Sequence, residues 1–256
     1  PGLYGRDGPL AAHVLASCPA LHPENLYSSP PVWGQNGHLQ TILASLLRRA
    51  PQVQYERELL RTPDGGLLAI DLLVGHREEL APKGEGVSFL EPREHPASEQ
   101  PFALLTAGLG GGSQDAYVRS MAAALAQRGW RVAVLNMRGC GGSPVTSPRF
   151  FSAHRGSTDD LRLALRHARA TPRLAASAPF VAVVGWSNGA TIVNNALAEQ
   201  ETTHPGTEHA ADAGVTLACP LNMPAADRNL GRPFHRRVYD RAIAAGLARN
   251  LRESGA

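Results

Sequence analysis

Cysteine is scarce in this chain: Cys18, Cys140 and Cys219 are the only three in 256 residues. An odd number spaced so far apart argues against a disulfide framework and offers no spacing that would hold zinc. Lysine is scarcer still, because every basic residue except Lys83 is arginine. Aromatic residues make up only 5% of the chain, and no patch interleaves them with arginine. The footprint of a nucleic-acid binder is therefore missing. No apolar run approaches the roughly 18 residues that a membrane span requires. Charge of either sign is modest, 25 basic against 22 acidic residues, for a net +3 and a pI near 9.0. The chain begins at Pro1, so an anchor or transit peptide ahead of it is compatible with the sequence. The compartment (membrane surface, an organelle such as a plastid, or cytoplasm) and the oligomeric state stay open.

What is present is enough apolar material, 43% of the residues, for a substantial core. Residues 1–51 read as an irregular Pro- and Gly-rich segment with one short amphipathic helix at 39–49. His38 there reads as a structural histidine. Residues 52–256 read as an α/β domain. It opens with strands at 54–61 and 67–74 joined by Thr62-Pro-Asp-Gly-Gly66, a hairpin signal. Residues 75–101 lack periodicity and read as a surface insertion. From Phe102 the pattern alternates: strand 102–106, helix 115–128, strand 131–135, helix from Ser157 to Ala170, strand 180–184, a helix from Ala190, and a strand 215–219. Asp159 and Asp160 are expected in the first turn of the helix that starts at Ser157, where the dipole favours carboxylates. Such alternation implies a mostly parallel sheet with ligands at the strands' carboxyl ends. Residues 220–256 read as the beginning of a lid, with a helix at 238–251.

Two stretches carry chemistry. Phe180-Val-Ala-Val-Val runs into Gly185-Trp-Ser-Asn-Gly189 and then a helical pattern, which is the strand, Gly-x-Ser-x-Gly turn and helix of a nucleophile elbow. Such a turn projects the Ser187 hydroxyl at the sheet's edge and aims helix amides at the reacting centre. The second stretch, Gly108-Leu-Gly-Gly-Gly-Ser113, leaves a strand with few side chains in the way. The amides of Leu109 and Asn188 would then form an oxyanion hole. A phosphate cradle is the alternative, although the loop lacks a Gly-Lys-Ser/Thr ending and a dinucleotide spacing. His154 and Asp159 have the His-x-x-x-x-Asp spacing of some acyltransferases, and Arg138-Gly-Cys-Gly-Gly142 raises a reactive-thiol reading for Cys140. A helix start and a tight turn explain both without chemistry.

The chain resembles the YheT-like group of α/β-hydrolases, which takes in α/β-hydrolase-domain lipases, ester synthase/esterases and embryogenesis-associated proteins. The resemblance runs from about Pro31 to Leu251. It rests on Asn36-Gly-His-Leu-Gln-Thr-Ile42, Thr62-Pro-Asp-Gly-Gly66, Gly108-Leu109 with Gly111-Gly-Ser113, Asn136-Met-Arg-Gly-Cys-Gly-Gly142, Thr158-Asp-Asp-Leu161 and the elbow. It implies an α/β-hydrolase fold with helices on both faces of the sheet, here without its last strands. It also implies Ser187 as nucleophile, Leu109 and Asn188 as oxyanion donors, fatty-acyl ester or lipid substrates, and no metal or organic cofactor. Gly110 and Asn188 depart from the group's usual threonine and apolar residue. The acid and histidine of a triad follow the serine in this fold. His204, His209 and His235 do not stand where that order requires, nor do Asp212, Asp227 and Asp240. The expectation is a chain that ends inside the lid, drawn from a serine carboxylic-ester hydrolase that also transfers acyl groups to alcohols. The alternative is a non-catalytic protein that keeps the pocket for binding. Membrane association would come through a segment ahead of Pro1.

Overall fold

The structure, a computed structural model, describes residues 8–18, 34–77, 99–152, 154–203 and 210–254. The chain divides into two compact units, Pro1–Arg48 and Arg49–Ala256. The first holds α1 (Pro9–Ser17) and α2 (Gly37–Leu47). Only one helix was expected here, and α1 is the addition. Asn36 sets the start of α2, since its Oδ1 accepts from the amides of His38 at 2.9 Å and Leu39 at 3.2 Å. That cap places the first helical residue ahead of the apolar run that marks the helix in sequence.

In the second unit β1 (Gln52–Arg61) and β2 (Leu67–Arg77) form an antiparallel hairpin with a bulge at Gln54/Tyr55. The turn closes through the Thr62 amide donating to the Gly66 carbonyl at 2.9 Å, with Gly65 at φ +80°. The strand β2 takes in residues 75–77 of the expected insertion, and residues 78–98 lie outside the described residues. Then follow β3 (Phe102–Thr106), α3 (Ala116–Ala126), β4 (Arg131–Asn136), α4 (Arg155–Ala170), β5 (Val181–Trp186), α5 (Asn188–Thr203) and β6 (Ala213–Leu217). The sheet order is β1-β2-β4-β3-β5-β6. The strands β4, β3, β5 and β6 run parallel, and β2 is antiparallel to β4.

The alternation along each strand divides the core into two layers. Phe102 and Leu104 of β3 pack with Leu135, Val181 and Val183 against Leu161 and Leu165 of α4 and Ile192 and Val193 of α5. Ala103 and Leu105 face the other way, with Val132, Val134 and Val184, onto Val118, Ala122 and Ala126 of α3. The small α3 face lets that helix lie close to the sheet. Both faces are thus covered at β3, β4 and β5, as parallel strands with near-continuous apolar runs require, while β6 is largely exposed.

Three further stretches differ from the sequence expectation. The helix α4 begins at Arg155, because the His154 side chain caps it by accepting from the Gly156 amide. Asp159 and Asp160 therefore sit beyond the first turn and have other partners. The strand β6 lies two residues earlier than expected, since Ala218 at φ +51° breaks it. After it come α6 (Met223–Leu230), α7 (Pro233–His235), a π-helical turn at Arg236–Asp240 and α8 (Arg241–Glu253), where one helix at 238–251 was expected. No helix among the described residues is long and apolar enough to cross a membrane.

Candidate active site

Ser187 lies between the last residue of β5 and the first of α5, with φ +50°. Among the described residues it shares positive φ, outside glycine, only with Ala218, which follows the adjacent strand β6. A strained non-glycine backbone persists only where its surroundings over-determine it. Here the Ser187 amide donates to the Leu217 carbonyl of β6 at 2.9 Å, and the Ser187 carbonyl accepts from Thr191 at 3.0 Å. The flanking glycines answer to two different neighbours. A Cβ on Gly185 would come within 2.5 Å of the Gly189 carbonyl oxygen, across the turn. A Cβ on Gly189 would instead run into the Ala107 carbonyl and come to 2.7 Å from that of Thr106, at the end of β3. One glycine lets the turn close and the other lets it seat against the next strand.

That seating brings the Gly-rich loop to the serine. A Cβ on Gly108 would lie 3.4 Å from the Ser187 Cβ. The loop's own bonds fix its course. The Gly108 amide donates to the Tyr117 hydroxyl at 2.9 Å, that hydroxyl donates to Asp115 Oδ2 at 2.9 Å, and the Gly111 amide donates to the Gly108 carbonyl. Tyr117 also packs against Trp186 of the elbow, with ring centroids 5.3 Å apart. No backbone acceptor among the described residues takes the Leu109 amide. Asn188 opens α5, so its amide is one of those a helix leaves without an internal partner. Ser187 and Leu109 are both exposed, and Asn188 is half-buried.

Beneath the loop lies a buried polar hub that gives no signal in the sequence. Asp71 of β2, 2% exposed, accepts from Ser113 Oγ at 2.6 Å, Asn136 Nδ2 at 2.8 Å, and Arg57 Nε and Nη2 at 2.6 and 2.7 Å. Asn136 Oδ1 accepts the Ser113 amide at 2.8 Å, and Arg57 Nη2 reaches the Gly141 carbonyl at 2.6 Å. One carboxylate thus ties the loop after β3 to β2, to β4 and to the glycine turn after β4. The nearby Tyr55 hydroxyl is held well above its usual range by burial, reinforced by the Asp71 charge. On the outer side, Asn250 Nδ2 of α8 donates to the Gly110 carbonyl at 2.6 Å. A cavity of about 280 Å³ opens there between Gly110, Gly112, Gly141, Ser143, Arg249 and Asn250.

The remaining sequence candidates have structural roles. His154 caps α4, and Asp159 pairs with Arg162 at 3.0 Å, so the two do not act together. Cys140 is buried, its thiol pushed up to about 12 by burial, so the reactive-thiol reading fails. His235 Nδ1 is bonded to the Asn229 carbonyl at 2.8 Å. Asp212 accepts from Arg169 and from the Val181 amide. His204 and His209 lie outside the described residues. Among the described residues, no histidine is hydrogen-bonded to the Ser187 hydroxyl and no cluster could hold a metal ion.

Residues 103–246 match the family model described as the alpha/beta hydrolase fold, and the chain belongs to that family. Among curated proteins it is similar to the Embryogenesis-associated protein EMB8 of Picea glauca, 36% identical over 83% of this chain and 42% of that protein. It is 29% identical to Phospholipase ABHD3 of Homo sapiens over 85% of this chain and 47% of that one. It is 30% identical to Monoacylglycerol lipase ABHD2 of Homo sapiens over 78% of this chain and 42% of that one. The chain spans less than half the length of each of these relatives.

Proposed function

We propose that the whole protein is a serine carboxylic-ester hydrolase acting on fatty-acyl esters such as acylglycerols or phospholipids, with an alcohol as an alternative acceptor to water. The observation that carries this reading is Ser187, held at φ +50° in a strand-to-helix turn directly beside the loop at Gly108. Its relatives named as a phospholipase and a monoacylglycerol lipase support the lipid-ester class. In the proposed reaction Ser187 Oγ attacks the acyl carbon, and the amides of Leu109 and Asn188 take the charge that develops on the carbonyl oxygen. The ester C–O bond breaks and the alcohol leaves with a proton. Water or a second alcohol then releases the acyl group from Ser187. No metal or organic cofactor takes part.

The proton of Ser187 needs an acceptor, and we assign it outside the described residues, because His154 and His235 are committed elsewhere. The same observation supports a second reading, a non-catalytic protein that keeps the pocket for binding. Ester turnover separates the two. The test substitution is Ser187→Ala, assayed with short-chain nitrophenyl esters. The whole protein should lose about a millionfold in turnover on the same substitution, the scale measured when a serine protease loses its nucleophile. Absence of turnover by the whole protein would leave the binding reading standing, and turnover insensitive to Ser187→Ala would remove Ser187 as the nucleophile.

A further inference from the structure

A second cavity, of about 340 Å³, lies apart from the elbow and the Gly-rich loop, between the β1–β2 turn, the segment after β4 and the outer face of α4. Four arginines line it: Arg138, Arg149, Arg162 and Arg166. Two of them form its floor and are ion-paired. Arg138, 2% exposed, grips Asp160 through Nε and Nη2 at 2.7 Å each and meets Asp64 through Nη1 at 2.6 Å. Arg162, also buried, bonds Asp159 at 3.0 Å and Glu199 at 2.7 Å.

The two arginines at the rim are different. Arg149 is 46% exposed and, among the described residues, has one long contact, 3.4 Å to an Asp64 oxygen that Arg138 already occupies. Arg166 is exposed and forms no ion pair among the described residues. It stands one helical turn beyond Arg162, so its guanidinium faces the same opening. Arg149 is also set against the first turn of α4. A Cβ on Gly156 would overlap its Nη2 and lie 2.7 Å from its Cζ, so the absent side chain makes room for the guanidinium. That end of α4 is the positive end of a 16-residue helix with no acidic residue in its first turn. A cation placed there with only a share of the Asp64 carboxylate is an electrostatic cost that a bound anion would relieve. The three carboxylates in the wall, Asp64, Asp159 and Asp160, are each bonded to a guanidinium already, which reduces their repulsion of such a ligand.

We infer that this cavity is a binding site for a phosphate monoester, gripped by Arg149 and Arg166. A planar guanidinium fork matches a phosphate's oxygens two at a time, and a lining of guanidinium and carboxylate groups suits a small charged headgroup rather than an acyl chain. The site does not depend on the role given to Ser187. Two sources share this chemistry, a soluble phosphate ester and the headgroup of a phosphatidate-like lipid.

The test is calorimetric or ³¹P NMR titration of the chain with glycerol phosphate, beside Arg149→Gln/Arg166→Gln and Arg166→Lys. Flotation with vesicles of phosphatidylcholine, with and without phosphatidate, forms the second arm. Both rim arginines are solvent-facing, so the variants should keep the native melting temperature. Saturable binding by the native chain is expected, weakened about tenfold or more in the double variant and less in Arg166→Lys, which keeps the charge but not the fork. Flotation on phosphatidate that the double variant loses assigns the site to lipid, and titration without flotation assigns it to a soluble ester. No saturable binding, or equal affinity in the double variant, overturns the inference.

Discussion

Arg138 is the residue whose partners should matter most for stability. Its guanidinium is 3% exposed and Asp160 is 6% exposed, joined by two parallel bonds of 2.7 Å. Asp160→Ala removes one side of this pair and leaves the cation buried. Breaking a buried pair in this way costs about 3–5 kcal/mol. Asp64 still accepts from Nη1, so the lower end, about 3 kcal/mol, is expected. For a domain of this size each kcal/mol moves the melting temperature by about 2–4 °C, which gives a fall of about 6–12 °C. Arg138→Met with Asp160→Leu removes both charges and fills the space. The double variant should therefore be more stable than the sum of the single losses by about 2 kcal/mol. Denaturant midpoints for the native chain, Arg138→Met, Asp160→Leu and their double variant, with Asp160→Ala beside them, measure it. A loss under about 1 kcal/mol for Asp160→Ala, or singles that simply add, would refute the reasoning.

Other outcomes follow from the same geometry. The hydrogen bond from Arg138, then that from Thr62, holds the Asp64 carboxyl well below the usual carboxylate range. A folded pKa below the unfolded one gives stability that is present above the unfolded pKa and lost as pH falls through the folded one. The melting temperature of Asp64→Asn should thus lie below that of the native chain at pH 6, with the gap closing as pH drops below about 4; a constant gap would count against the pair. Cys140, with its thiol near 12 and buried, should resist a thiol reagent at pH 8 until the protein unfolds, while exposed Cys18 reacts at once. Fast native labelling of Cys140, read by peptide mass, would contradict its placement. Gly189→Ala has no room against the Ala107 and Thr106 carbonyls, so it should destabilise by roughly 2–4 kcal/mol, far more than an ordinary Gly→Ala change. A melting temperature equal to the native one would mean the elbow does not seat on β3.

The elements that positioned the candidate site were legible because they rest on local pattern. Val181 to Val184 ahead of Gly185, and Phe102 to Thr106 ahead of Gly108, each combine a short apolar run with a glycine break, and both proved to be central parallel strands. The start of α4 was misread because its cap is a histidine, whose ring nitrogen does the work usually given to Ser, Thr, Asp or Asn. The acidic pair at 159–160 then looked like first-turn charge, when Asp160 is the partner of an arginine 22 residues away. The Asp71 hub was illegible for the same reason. Its contacts span 14, 42 and 65 residues, and no window of local sequence reports a bond of that reach. Residues that sequence grouped as motifs, such as Asn136 to Gly142, turn out to be the ends of these long-range bonds.

Those spans bear on when the site can exist at all during folding. The far end of the loop beside Ser187 is anchored through Ser113, whose hydroxyl and amide reach Asp71 and Asn136, so that end is not fully fastened until β2 has docked on β4. Closing chain segments of this length is slow compared with forming a helix or a hairpin. The β1–β2 hairpin is therefore the gatekeeper of a site to which it lends no reacting group. A lesion near Arg57 or Asp71 should unfasten the loop while the elbow itself, built from β5 and α5, stays in place.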